Sequence, residues 1–226
     1  MLGIIIQARM GSQRLPGKVL MDFCGKTLLE HIVYRLNALN NTAKIVIATS
    51  EDEKDNPIVD LCENNKIEYF RGSEANVLKR YYDCAESYHF DNIVRLTGDN
   101  PLTDIEELDR LIELHINSKA DYSESLTVLP IGIGAEIMSW SSLKSSYENA
   151  FLEKHFEHVN EYILDNTDKY NCKTLEVDKE KKRSDIYLTV DTKEDYIKMI
   201  ELMSLYEGKY ITTKMAIDYC DLNRKG

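Results

Sequence analysis

Four strand-length runs of aliphatic and β-branched residues, at 2–7, 44–49, 67–70 and 92–97, alternate with segments of helical period over the first 120 residues. Between the first two, Leu28, Leu29, Ile32, Val33, Leu36 and Leu39 fall on one helical face, and Thr27 with Glu30 three residues on makes a capping box. Further helices are expected at 57–65, 75–88 and 104–117. Strands separated by helices cannot be joined as hairpins and imply parallel pairing with crossover helices, a doubly wound sheet.

The second half is patterned differently. A strand is expected at 130–139, then helices at 142–150 and 153–166, two strands at 172–177 and 186–190 around a charged turn at 178–185, and closing helices at 192–206 and 212–220. No repeat, low-complexity tract or linker marks an independent second unit. The expected architecture is α/β: a Rossmann-like mixed, mainly parallel sheet with helices on both faces. It forms one domain over 1–226, with 130–185 as an edge subdomain or dimerisation arm.

Composition narrows the function. The formal charge of −11, from 28 basic and 39 acidic residues, argues against a general nucleic-acid or anionic-membrane binder. No apolar run reaches a membrane span and no secretory leader is evident, so a soluble cytoplasmic protein is expected. The five cysteines form no CxxC pair, which offers neither a zinc site nor a disulfide framework.

The acids are unevenly placed. The first is Asp22, and random placement would leave 21 such positions free in only about 2% of cases. That stretch holds Arg9, Arg14 and Lys18 around Gly11, Ser12, Pro16 and Gly17. It follows the first strand, at the carboxyl edge where open α/β sheets bind ligands. Glycines permitting close backbone approach and three cations without local counter-acids suit a polyanion. A Walker A loop is excluded: five residues separate Gly11 from Gly17-Lys18 instead of four, and Val19 stands where Ser or Thr would bind magnesium. Gly132-Ile133-Gly134 lacks the third glycine of a dinucleotide fingerprint.

Two aspartates end strands. Asp99 follows the fourth, and because Thr103 with Glu106 can cap the next helix, Asp99 is free for another role, such as holding Mg²⁺ beside phosphate. Asp191 follows the strand at 186–190 and opens a helix, where it is read equally as an N-cap or as a metal ligand. His155, Glu157 and His158 do not have HExxH zinc spacing. Lys79-Arg80 beside Tyr81-Tyr82 suits either a solvated helix face or a nucleotide-facing edge.

The segment Gln7-Ala8-Arg9-Met10-Gly11-Ser12-Gln13-Arg14-Leu15-Pro16-Gly17-Lys18 resembles the N-terminal signature of the CMP-sugar synthetases. It is most similar to the 3-deoxy-manno-octulosonate and spore-coat-polysaccharide-type cytidylyltransferases. The resemblance continues through Gly72-Ser73-Glu74, Val77-Leu78-Lys79-Arg80-Tyr81-Tyr82, Leu96-Thr97-Gly98-Asp99-Asn100-Pro101-Leu102, Glu157-His158-Val159 and Leu188-Thr189-Val190-Asp191-Thr192-Lys193-Glu194-Asp195, in family order over nearly the whole chain. It implies a fold of the nucleotide-diphospho-sugar transferase type and transfer of CMP from CTP to a sugar or sugar acid, with release of pyrophosphate, for surface polysaccharide synthesis. Arg9 and Lys18 would be catalytic. Ala8, Gly11, Ser12, Arg14, Gly72 and Ser73 would bind nucleotide, Glu136, Glu157 and His158 the acceptor, and Asp99 and Asp191 Mg²⁺. A homodimer is also implied.

One position departs from that pattern. The spore-coat branch carries an Asp two residues before the glutamate of its central strand, and here that position is Gly134, which puts acceptor choice in question. Two other readings stand beside this one. A glycosyltransferase on a similar fold would want a DxD motif, which Asp99-Asn100-Pro101 is not. A non-catalytic nucleotide-binding subunit would have no chemical need to keep three cations and two candidate ligands.

Overall fold

The computed structural model describes residues 1–206 and 210–223; the expected single domain runs on through 207–209 and 224–226, which lie outside the described residues. Seven strands form one sheet: β1 (Leu2–Gln7), β2 (Lys44–Ser50), β3 (Glu68–Gly72), β4 (Asn92–Thr97), β5 (Tyr122–Glu124), β6 (Glu136–Ser139) and β7 (Cys172–Thr174), in the order β3-β2-β1-β4-β6-β5-β7. β1 to β4 are mutually parallel; β6 runs antiparallel to β4 and to β5, and β7 is parallel to β5. The expected mixed, mainly parallel α/β architecture is observed.

β1 explains why the sheet is covered on both faces. Its residues are apolar at successive positions, the pattern of a strand with no solvent face. Ile4 and Ile6 point into one core, while Ile5 joins Val77, Leu78 and Tyr81 in the other. All three isoleucines are fully buried, a gain of about 1.5–3 kcal/mol each. The covering helices are α1 (Leu28–Leu36), α2 (Asn56–Asn65), α3 (Val77–Ser87) and α4 (Ile105–Asn117). The capping box at α1 forms as expected, with Thr27 accepting from the Glu30 backbone and Glu30 accepting from the Thr27 N–H. At α4 the cap is Asp104, which accepts from Glu107 N; it is not Thr103 with Glu106, because Thr103 turns its hydroxyl to Asn100 O. Asp99 is free of capping either way.

The second half contains α5 (Trp140–Asn149), α6 (Glu153–Glu157), α7 (Glu161–Leu164), α8 (Lys193–Leu205) and α9 (Thr213–Asn223). Residues 130–185 supply β6 and β7 to the common sheet. The expected strand at 130–139 shortens to β6, because Gly132 takes φ +90 and turns the chain beside Leu188. The expected helix at 153–166 breaks after α6, where His158 is extended. The segment 186–190 is no regular strand: Ile131 bridges Tyr187, and Val190 N donates to Asp99 O at 2.9 Å. That last bond carries the chain from the far end of the sequence to the end of β4. No helix among the described residues is long and apolar enough to cross a membrane.

Candidate active site

The strand order reverses at β1, which lies between β2 and β4. Crevices form at such switch points, outside the carboxyl ends of the strands. The loop after β1 and the turn after β4 meet there, locked by Gly98 N donating to Gln7 O at 2.8 Å. A Cβ at Gly98 would come 3.2 Å from Gln7 O and 3.3 Å from Ala8 Cβ, tighter than ordinary contact, so glycine lets these two segments approach closely.

The basic loop is built rather than loose. Ser12 N and Gly17 N both donate to Met10 O, and Leu15 N donates to Ser12 Oγ. Gly17, at φ 71, turns the chain into a short 3-10 turn that begins with Lys18. From below, the fully buried Asp55 accepts from Met10 N at 2.7 Å and from Ser50 N and Oγ. Asp55 was not legible as a site residue, since it sits in a surface-like acidic run (Glu51, Asp52, Glu53) and its partner is 45 residues away.

The loop encloses a cavity of about 400 Å³ lined by residues that include Ala8, Arg9, Ser12, Arg14, Lys18, Asp99, Glu157 and Asp191. Lys18 is buried on its floor. Its Nζ donates to Asp99 Oδ2 at 2.8 Å, Asp191 Oδ1 at 3.0 Å and Val190 O at 2.8 Å. Arg14 reaches Asp191 Oδ1 at 2.8 Å. The counter-acids missing from the first 21 residues are therefore supplied by the turns at 99 and 191. Arg9 is exposed in the cleft and has no hydrogen bond or ion pair among the described residues.

Both aspartates are held from behind. Thr97 donates to Asp99 Oδ1 at 2.6 Å, and Tyr187 donates to Asp191 Oδ2. Burial works to raise the Asp191 carboxyl pKa, but hydrogen bonds from Tyr187 and Lys18 and the charges of Lys18 and Arg14 outweigh it and hold the group below its ordinary value. Burial and the bond to Asp191 push the Tyr187 phenol up to about 12. The question of a cap at Asp191 is resolved: α8 is capped by Thr192, in a capping box with Asp195, so Asp191 is left facing the cleft. The two carboxylates that meet this ammonium could hold a divalent cation, since Mg²⁺ takes one or two protein carboxylates together with phosphate and water. Among the described residues no three potential ligands cluster as a zinc site would require.

A second cavity, of about 720 Å³, adjoins the first and is lined in part by Arg9, Arg95, Glu153, Phe156, Glu157 and His158. Glu157 and His158, the expected acceptor contacts, both line this cavity. Glu136 does not. It is 1% exposed, and its two oxygens take Arg95 Nη1 and, at 2.5 Å, the Tyr122 hydroxyl. The expectation of direct acceptor binding by Glu136 is corrected, because β6 turns the carboxylate inward behind Arg95. Gly11, Gly72 and Ser73 also fall outside both linings. Gly11 packs near Lys54, while Ser73 accepts from Asn76 N and, through its carbonyl, from Arg80. His155 is buried against Asp165 and takes no part in the cleft.

Gly134 has a steric explanation. A Cβ there would sit 2.8 Å from Ser125 O and 3.0 Å from Leu126 Cα, so the Asp of the spore-coat branch does not fit this backbone.

Comparison with known proteins gives the site its context. The chain is 39% identical over 197 residues to the spore coat polysaccharide biosynthesis protein SpsF of Bacillus subtilis, covering 85% of this chain and 82% of that protein. A cytidylyltransferase structure from Leptospira borgpetersenii superposes with a TM-score of 0.87 at 30% identity, over 99% of this chain and 94% of that one. A CMP:2-keto-3-deoxy-manno-octonic acid synthetase structure in complex with CTP shares the fold, at 17% identity and a TM-score of 0.72, over 91% of this chain and 99% of that one. The family model for cytidylyltransferase matches residues 3–217, and the chain belongs to that family.

Proposed function

We propose that this protein transfers CMP from CTP to a sugar or sugar acid, with release of pyrophosphate, for surface polysaccharide synthesis. The observation that carries the reading is the convergence of Lys18, Asp99 and Asp191 at the floor of a cleft whose rim is the basic loop. Arg9, Arg14 and the loop amides would hold the triphosphate, and the Ser12 hydroxyl, which accepts from Leu15 N, keeps its own proton to donate.

Asp99 and Asp191 would hold Mg²⁺. When bound, that ion would supply Lewis-acid polarisation of the phosphate and acidify an acceptor hydroxyl. An acceptor oxygen would form the new bond to the α-phosphorus as the bond to the bridging oxygen breaks, and pyrophosphate would leave with that electron pair. Lys18 and Arg9, fixed beside the reacting phosphate, would stabilise the charge that spreads over its oxygens. Lys18 is held within reach by its buried stem. Among the described residues no histidine is hydrogen-bonded to Asp99 or Asp191, and none is assigned as general base.

A homodimer is part of this reading. It is supported by Phe151, 73% exposed, with Leu152 and Leu164 on the same α5–α7 segment. The reading also places the enzyme in the cytosol, where CTP is made. The discriminating experiment is calorimetric titration with each of the four NTPs and Mg²⁺. CTP should bind at least tenfold tighter than the purine nucleotides in the wild type, and the Arg9→Ala variant should lose most of that affinity. Equal affinity for all four, unaffected by Arg9, would refute it.

A further inference from the structure

Arg95 and Glu136 face each other as a cross-strand pair, in register where β4 runs antiparallel to β6. The ion pair they form is unusually well fixed. Glu136 also accepts from Tyr122 on β5, whose hydroxyl in turn receives Asn160 Nδ2 at 3.4 Å. The Arg95 guanidinium lies over the Tyr81 ring, 6.0 Å from its centroid, and Tyr81 is itself held by the carbonyls of Ile5 and Leu96. Three strands and one helix thus determine where a single guanidinium points.

That guanidinium is incompletely used. Among the described residues only Nη1 has a hydrogen-bond partner, and Nε is buried with none. Yet the side chain is 15% exposed on the wall of the second cavity. A buried ion pair is weak evidence of a stabilising role, and a donor left unpartnered argues against one. The same cavity is also lined by carboxylates, among them Glu153 and Glu157, exposed on α6. A lining that sets Arg95 among carboxylates fits a polyhydroxylated ligand that carries one anionic group. The cations would take the anion and the carboxylates would accept from hydroxyls.

We propose that Arg95 binds the anionic group of the acceptor in the second cavity, and that Glu136 is a positioning residue that acts through Arg95. The inference rests on the transfer reading and deepens it by requiring an anionic acceptor, whose charge comes from a carboxylate or a phosphate. Glu136 then lies one bond from the acceptor without touching it, and its removal loosens the guanidinium without removing it.

Steady-state pyrophosphate release with CTP tests this. The acceptors are 3-deoxy-manno-octulosonate and other sugar acids in one arm, sugar phosphates in a second, and uncharged sugars of matched carbon number in a third. Wild type should turn over acceptors from one charged arm only, which identifies the anion, and none from the uncharged arm. Arg95→Gln should raise the acceptor KM at least tenfold while the CTP KM stays within twofold, and Arg95→Lys should recover part of the loss. Glu136→Gln should raise the acceptor KM in the same direction by less. Retained CTP binding identifies variants whose cleft is folded. Turnover of uncharged sugars by wild type, or an unchanged acceptor KM in Arg95→Gln, would overturn the inference and leave the transfer reading standing. Absence of release with every acceptor in wild type would overturn both.

Discussion

Lys18 donates to Asp191 across 173 positions of sequence, at 3.0 Å, and the same Nζ lies 2.8 Å from Asp99 Oδ2. One ammonium therefore bridges two carboxylates that arrive on separate turns, with Arg14 as a second cation on Asp191, and under the proposed function a divalent cation would compete for the same oxygens. Lys18→Ala should lower kcat by ~10²–10³-fold, the usual cost of losing one positioned donor to transition-state charge. It should also bind Mn²⁺ several-fold more tightly without nucleotide, measured by electron paramagnetic resonance, because the competing cation is gone. Mn²⁺ affinity equal to wild type would contradict this relationship.

Asp191 and Thr192 are neighbours with separable roles. Thr192 caps α8, so Thr192→Ala should cost about 1 kcal/mol in urea unfolding. Asp191→Asn also loses the ion pairs with Lys18 and Arg14 and should cost some stability at neutral pH, but it should reduce turnover by at least 100-fold, as should Asp99→Asn. Turnover in Asp191→Asn within a few-fold of wild type would return Asp191 to a purely structural role.

How much of this was legible in the sequence follows from which contacts are local. The β1 loop, the β1–β4 alternation and the cap of α1 depend on residues a few positions apart, and periodicity exposes them. β5 carries Tyr122-Ser123-Glu124, too short and too polar to show alternation, and it exists because β6 and β7 flank it. The segment 186–190 has strand composition, yet its hydrogen bonds go to Ile131 and Asp99, partners that only the fold supplies. Asp99 and Asp191 could be named from strand ends, but not their meeting at Lys18. Glu136 was mistaken for an acceptor ligand because its neighbours in sequence do not reveal which face of β6 it takes, or that Arg95 lies opposite. Asp55 and Arg95 gave no signal at all, as their chemistry lies in long-range pairs.

Gly134→Asp, which supplies the residue of the spore-coat branch, should destabilise the protein by about 1–3 kcal/mol, since its Cβ meets the Ser125 backbone at 2.8 Å. Urea unfolding measures this. A variant as stable as wild type would mean that the 125–126 turn moves freely.

His31 and His115 give a pH signature. Burial lowers both to about 4; the nearby Arg35 adds to the effect at His31, and Asp121 opposes it at His115. In the unfolded chain each titrates near 6.5. Between those values the unfolded state binds more protons, so this contribution to stability is complete above about pH 6.5 and is lost as pH falls through about 4. His115, bonded to Ser123 Oγ and Asn92 Oδ1, is the cleaner test. His115→Asn should show a smaller fall in urea midpoint from pH 7.5 to 5 than wild type. An identical fall would contradict the assignment.

Under the proposed function, the Lys18–Asp99–Asp191 floor serves transfer of a nucleotidyl group. The most direct measurement follows CTP labelled at the α-phosphorus, with Mg²⁺ and an anionic sugar acceptor, by chromatography of the products. Label is expected in a CMP-linked sugar, with one pyrophosphate released per product and no product from Asp99→Asn. Label found only in CTP, or a product that forms equally well in Asp99→Asn, would contradict it.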